Sequence, residues 1–225
     1  MLVLAGGCTA LWTRRHWVAC DADPSASDCL VLRDESYDLP VGMAAGQPVL
    51  ADALLVVAAA LLLGLAWLTV LDWARASAAR MVVAVMIALQ PVLVAAVEVL
   101  QLATSSPVLL TAAGWLTWPA EMLVIPLLLG AGWILDEAPG QVVRLMLLAW
   151  AVTSFGPLHH FVDYVLSSVL LDGLGARPPG LGYVTAFTQV GCGLLVLVAT
   201  MWLETPGEPE EGDERTGRDG FSLAA

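Results

Sequence analysis

Residues Ala53 to Leu71 read ALLVVAAALLLGLAWLTVL, 19 residues without a charge. A helix rises ~1.5 Å per residue and the hydrocarbon core of a bilayer is ~30 Å thick, so about 20 mainly apolar residues cross it. This stretch meets that demand. It is also too long and too unalternating for a barrel strand, which leaves a membrane helix.

Four further runs share its character. Met81 to Ala103 has 23 residues, interrupted by Gln90, Glu98 and Gln101. Val108 to Leu135 has 28, with Glu121 as its only charge. Leu145 to Val162 has 18 and ends near His159 and His160, and Val184 to Leu203 has 20 with Gln189 and Cys192. The reading is an all-α integral membrane bundle of about five spans, residues 51–203. Met1 to Trp12 is apolar over 12 residues only. It lacks the basic start of a signal peptide. Its Leu4-Ala5-Gly6-Gly7-Cys8 stretch loosely resembles a lipoprotein cleavage site, but the apolar run before it is too short. Residues 1–12 are therefore a short membrane element or the remnant of a span.

Composition agrees with residence in lipid. Apolar residues make up 59% of the chain and charged ones 13%, and mean hydropathy is +0.80. Soluble domains average roughly 45–50% and about 25% respectively. All nine basic residues are arginines. Without lysine there is no retinal or pyridoxal Schiff base and no phosphate-binding P-loop lysine. A net charge of −12 excludes nucleic acid as a partner, since phosphates demand a basic face. Acidity without lysine fits a GC-rich genome or a high-salt proteome.

Loop charges set an expected orientation. Arg75, Arg80, Arg144, Arg215 and Arg218 fall in segments that share one side, against Arg14, Arg15, Arg33 and Arg177 on the other. Arg14 and Arg15 lie far from Ala53, and only arginines near span ends count. The expectation is a cell-membrane protein with residues 13–50 outside and the C-terminus in the cytoplasm. Cys20 and Cys29 flank a polar, turn-prone stretch around Pro24, so an oxidising exterior would close them into a disulfide. Nine-residue spacing with only His16 nearby does not supply four zinc ligands. Cys8 and Cys192 read as small hydrophobes. Residues 13–50, with six acids, are too few for an independent core. Between Asp163 and Tyr183, Val165, Leu166, Val169 and Leu170 mark one helix face, which continues the fourth helix or lies flat at the interface.

Ionisable groups in a span are costly, so each is a functional candidate. On straight helices Glu98 and Gln101 share a level with His159, His160 and Asp163, and Asp163 is spaced to orient an imidazole. Adjacent histidines point ~100° apart on a helix, so one helix rarely offers both to a metal. Only one span holds histidine, which disfavours bis-histidine haem. Glu121 sits mid-span after Trp118-Pro119, with Pro126 beyond, and is expected to face the bundle interior, hydrogen-bonded for example to Gln90. Most tryptophans suit span ends or packing, and Ala60, Gly64, Gly191 and Gly193 suit close helix contact. No GxSxG, HExxH or CxxC motif is present.

Three functions stand open: a small non-enzymatic subunit or accessory protein; a proton- or ion-coupled transporter component using Glu121, Glu98, Gln101, His159, His160 and Asp163; and a metal-dependent membrane enzyme with an outer-face site. The expected partners are the lipid bilayer and other membrane subunits or further copies of the chain. No cofactor is indicated, and the identity of any metal stays open. The tail 204–225 carries seven acids and little apolar content, and is expected to be disordered. Truncation after Glu204 is expected to leave expression and the detergent melting temperature unchanged, as read by fluorescence-detected sizing and a thermal ramp.

Overall fold

The computed structural model describes residues 1–22, 27, 29, 50–69, 77–104, 121, 122, 124, 139–170 and 182–203. Their regular structure is helical: α1 Leu2–Ala22, α2 Leu50–Leu68, α3 Ala78–Thr104, α4 Pro139–Val152, α5 Pro157–Leu170 and α6 Tyr183–Leu203. Helices α2, α3 and α6 are long and apolar enough to cross a membrane. The pair α4 and α5 makes a fourth if taken as one broken span, bent by 82°. Of the run Val108 to Leu135, only Glu121, Met122 and Val124 are among the described residues, and the tail 204–225 lies outside them.

Two boundaries differ from the sequence expectation. The run Leu145 to Val162 is not one helix. It stops at Val152, passes through Thr153-Ser154-Phe155-Gly156 and restarts at Pro157. Proline has no N–H to continue a ladder, and its ring drives the residue before it out of helical geometry. Gly156 then turns tightly, its N–H bonded to the Thr153 carbonyl at 2.9 Å. The second difference is at the N-terminus, where no boundary follows Trp12. Helix α1 runs on through Ala22. Its polar second half is held both across to α2 and within its own turns: Arg15 pairs with Asp52 in the first turn of α2, and the His16 ring stacks on Trp12 one turn back. Cys20 closes a disulfide with Cys29, and both pack with Trp17.

Contacts along the helices fix their directions. Leu2 and Val3 meet Gly193, Gly6 meets Val190 and Ala186, and Thr13 meets Gly182, so α1 and α6 run antiparallel along their length. The Arg15–Asp52 pair joins the end of α1 to the start of α2. Trp67, fully buried near the end of α2, donates its indole N–H to the Ala84 carbonyl of α3 at 2.9 Å, while Gly64 faces Pro91. The apolar core lies between these helices and α4, centred on Val56, Leu63, Trp67, Ile87, Val152 and Phe155.

The α1–α6 seam depends on glycine. A Cβ at Gly6 would lie 2.6 Å from Val190 Cγ2 and 2.8 Å from the Ala186 carbonyl oxygen. Small residues let membrane helices approach closely enough for dispersion to hold them. At Gly7 a Cβ meets nothing within 4 Å. Gly6→Ala is therefore expected to cost about 1–3 kcal/mol through overpacking. Gly7→Ala should be neutral or stabilising by up to about 1 kcal/mol, since alanine is the better helix former. Paired unfolding in detergent checks the difference.

Candidate functional site

The helix break gathers polar side chains from five parts of the chain. Helix α5 begins with Gly156 at its N-cap, since His160 N–H bonds the Gly156 carbonyl at 3.0 Å. The first turn of any helix leaves N–H groups unpartnered, and a Ser, Thr, Asp or Asn at the N-cap commonly accepts one. Gly156 has no side chain to do so, and Pro157 removes one donor. The remaining donors, Leu158 N–H and His159 N–H, bond the Glu121 carboxyl at 2.6 Å to Oε2 and 3.0 Å to Oε1. Glu121 thus caps a helix 37 residues further along the chain. The negative charge also suits the positive end of the helix dipole. A Cβ at Gly156 would collide with this carboxyl, so the absent side chain is what admits Glu121.

Glu121 makes a further bond, between Oε1 and His159 Nδ1. Glu121 and His159 are each 3% exposed. The imidazole packs against Trp150 with ring centroids 3.9 Å apart, so its plane is fixed from two sides. Its Nε2 is buried without a hydrogen-bond partner.

Around the break, amides and hydroxyls from other helices take up its loose backbone and side-chain groups. Gln90 of α3 donates to the Thr153 carbonyl at 3.1 Å. Thr153 and Ser154 are fully buried. Gln189 of α6 donates from Nε2 to Ser154 Oγ at 2.7 Å, and its Oε1 lies 2.8 Å from Thr9 Oγ1 of α1, which donates to it. A chain of polar contacts therefore joins α1, α6 and the break.

Asp163 performs a second capping. Gly182 is the N-cap of α6, its carbonyl accepting Ala186 N–H at 3.0 Å. Asp163 Oδ2 accepts from Gly182 N–H at 2.9 Å, Thr185 N–H at 3.0 Å and the Thr185 hydroxyl at 2.8 Å. Oδ1 accepts from Ser167 Oγ at 3.0 Å. Gly182 holds φ at +112°, a conformation that favours glycine, and its Cα side faces Thr13 Oγ1, 2.5 Å from where a Cβ would stand.

The grouping read from straight helices changes accordingly. His159 meets Glu121, and Asp163 turns to α6 instead of orienting a histidine. Glu98 is buried on α3 and bonds neither histidine. The physical reason is the 82° bend, which removes the common level that a continuous fourth helix would have given. The Gln101 side chain lies outside the described residues. His160 is half-buried with Nδ1 unpartnered. Glu121 points into the protein, but its partners are Leu158 and His159, and Gln90 bonds Thr153 instead. Among the described residues no group of three or more His, Cys, Asp and Glu side chains could hold a metal ion.

Sequence reasoning passed over Thr9, Thr153, Ser154, Gly156, Gly182 and Thr185. Gly156-Pro157 was the available signal, a helix N-terminus inside an apolar run. No family model matches the chain, and no curated protein or solved structure is similar to it.

The two carboxylates respond differently to amide replacement. Both oxygens of Glu121 accept from N–H groups, so Glu121→Gln turns an NH2 toward a backbone donor and strands it. The expected loss is about 1–3 kcal/mol. In Asp163→Asn the carbonyl can keep the three donors on Oδ2, while the amide donates to Ser167 Oγ, a hydroxyl that can also accept. Its expected loss is about 1 kcal/mol or less, chiefly charge at the helix terminus. Melting of the two variants in detergent checks the order.

Proposed function

We propose that the chain is a multi-pass membrane protein without catalytic activity, a subunit or accessory of a membrane assembly. The observation that carries this reading is the use of Glu121 and Asp163. Each buried carboxyl is committed to the start of a helix, with two backbone N–H groups apiece. A carboxylate that holds a helix N-terminus inside lipid performs an architectural task. Releasing it to carry a proton or ion would uncover donors that the hydrocarbon cannot satisfy. The limited polar content of the other helices points the same way.

In this reading five spans cross the bilayer, and α1 crosses with them, packed on α2 and α6. The Cys20–Cys29 disulfide lies outside and both termini face the cytoplasm. An exported disulfide fits an oxidising compartment. A membrane-impermeant maleimide applied to intact cells should label Cys20 and Cys29 only after reduction. Labelling that requires lysis would reverse the orientation.

Liposomes carrying the purified protein and a pH-sensitive dye test the function. Under an imposed potential the expected proton leak equals that of empty liposomes. A leak that disappears in a folded Glu121→Gln variant would establish a proton pathway and overturn the subunit reading.

A further inference from the structure

At the end of the bundle away from the disulfide, a cavity of about 280 Å³ opens between the start of α1, the end of α2, the start of α4 and the second half of α6. Its walls are mainly apolar, from Leu2, Val3, Ala66, Leu148, Val196 and Leu197, and Arg144 is the one charged side chain among them. Arg144 lies five residues into α4, about 8 Å from its first residue along the axis. Its Nε is buried and has no hydrogen-bond partner. Thr69, also on the wall, donates its hydroxyl to the Ala66 carbonyl at 2.7 Å.

Arg144 has no ion-pair partner among the described residues, and a cation set in mainly apolar walls is stabilised by an anion. The volume far exceeds the ~30 Å³ share of one water. Walls of Leu, Val and Ala reject a free hydrated anion but accept hydrocarbon. A molecule that satisfies both halves carries a phosphate at one end and an apolar body at the other. Basic pockets between membrane helices near the bilayer boundary bind such headgroups. We propose that this cavity is a binding site for a phospholipid with an anionic headgroup, its phosphate on Arg144 and its glycerol and upper acyl carbons along Leu148, Val196 and Leu197. The inference requires membrane residence only. It stands or falls independently of the subunit role and of the number of spans.

Native mass spectrometry and thermal melting of the full chain in mild detergent test it, with phosphatidylglycerol, phosphatidylcholine and inorganic phosphate as probes. Phosphatidylglycerol should be retained and raise the melting temperature, with binding at least tenfold weaker for phosphatidylcholine. Arg144→Gln should lose that tenfold preference. Leu197→Trp, at a residue exposed on the outer wall, should plug the groove and weaken phosphatidylglycerol without touching Arg144, which keeps the test decisive if Arg144→Gln does not fold. Equal retention of the two lipids by the native chain would overturn headgroup recognition. Stabilisation by inorganic phosphate equal to that by phosphatidylglycerol would overturn the lipid and leave a free-anion site. Undiminished binding in Leu197→Trp would place the lipid elsewhere.

Discussion

A helix that starts inside a membrane protein needs an acceptor for its first N–H groups, because hydrocarbon offers none. Among the described residues two helices start that way, at Gly156-Pro157 and at Gly182-Tyr183, and both N-caps are glycines. Glycine supplies no acceptor, yet it leaves room for one from elsewhere. Glu121 and Asp163 fill those places, from 37 and 19 residues away. The rest of the polar interior follows from these two choices. At the break the Thr153 carbonyl, already bonded by Gly156 N–H, also accepts from Gln90, and the Ser154 hydroxyl accepts from Gln189.

Periodicity and length revealed the helices but not the break. The runs beginning at Ala53, Met81 and Val184 overlap α2, α3 and α6 closely, because an uninterrupted apolar run allows one outcome in lipid. The run from Leu145 is equally apolar on average, and averaging hides Gly156-Pro157. Two residues decide its path, and their effect depends on whether a distant acceptor exists to cap the restarted helix. That acceptor lies 37 residues earlier in sequence, at a separation that no local pattern records. For the same reason Glu121 was legible as a group that must face protein, while its partners were not. The full length of α1 was not legible, because Arg14, Arg15 and His16 end the apolar run after Trp12 while the helix continues to Ala22. Asp52 and the stacked Trp12 ring show how such residues are held at the edge of a bundle.

The candidate site was legible by type and illegible by grouping. Each ionisable residue singled out is buried or half-buried where described, consistent with the cost of leaving it in lipid. Grouping required three-dimensional direction. A straight helix would carry His159 upward toward the level of Glu98. The 82° turn carries it sideways, to Glu121 and the Trp150 face. One bend thus converts an apparent cluster of titratable groups into two separate capping arrangements.

The order of assembly constrains which polar groups α1 can carry. Among the described helices, α1 is made before its antiparallel partner α6. The Thr9–Gln189 bond spans 180 residues of sequence. Until α6 arrives, α1 must persist without that partner. Thr9 and Thr13 can do so because their hydroxyls reach carbonyls on their own helix, Ala5 at 3.1 Å and Thr9 at 2.8 Å. Thr9 can then turn its single hydrogen from Ala5 to Gln189 Oε1 when α6 packs. An asparagine or glutamine at position 9 would have no such local outlet for all its donors. The amides of this interior sit instead on α3 and α6, which pack against the break that uses them. The polar side chains by which α1 joins this interior, Thr9 and Thr13, are hydroxyls, as expected when a membrane helix must be tolerable alone before it becomes part of a bundle.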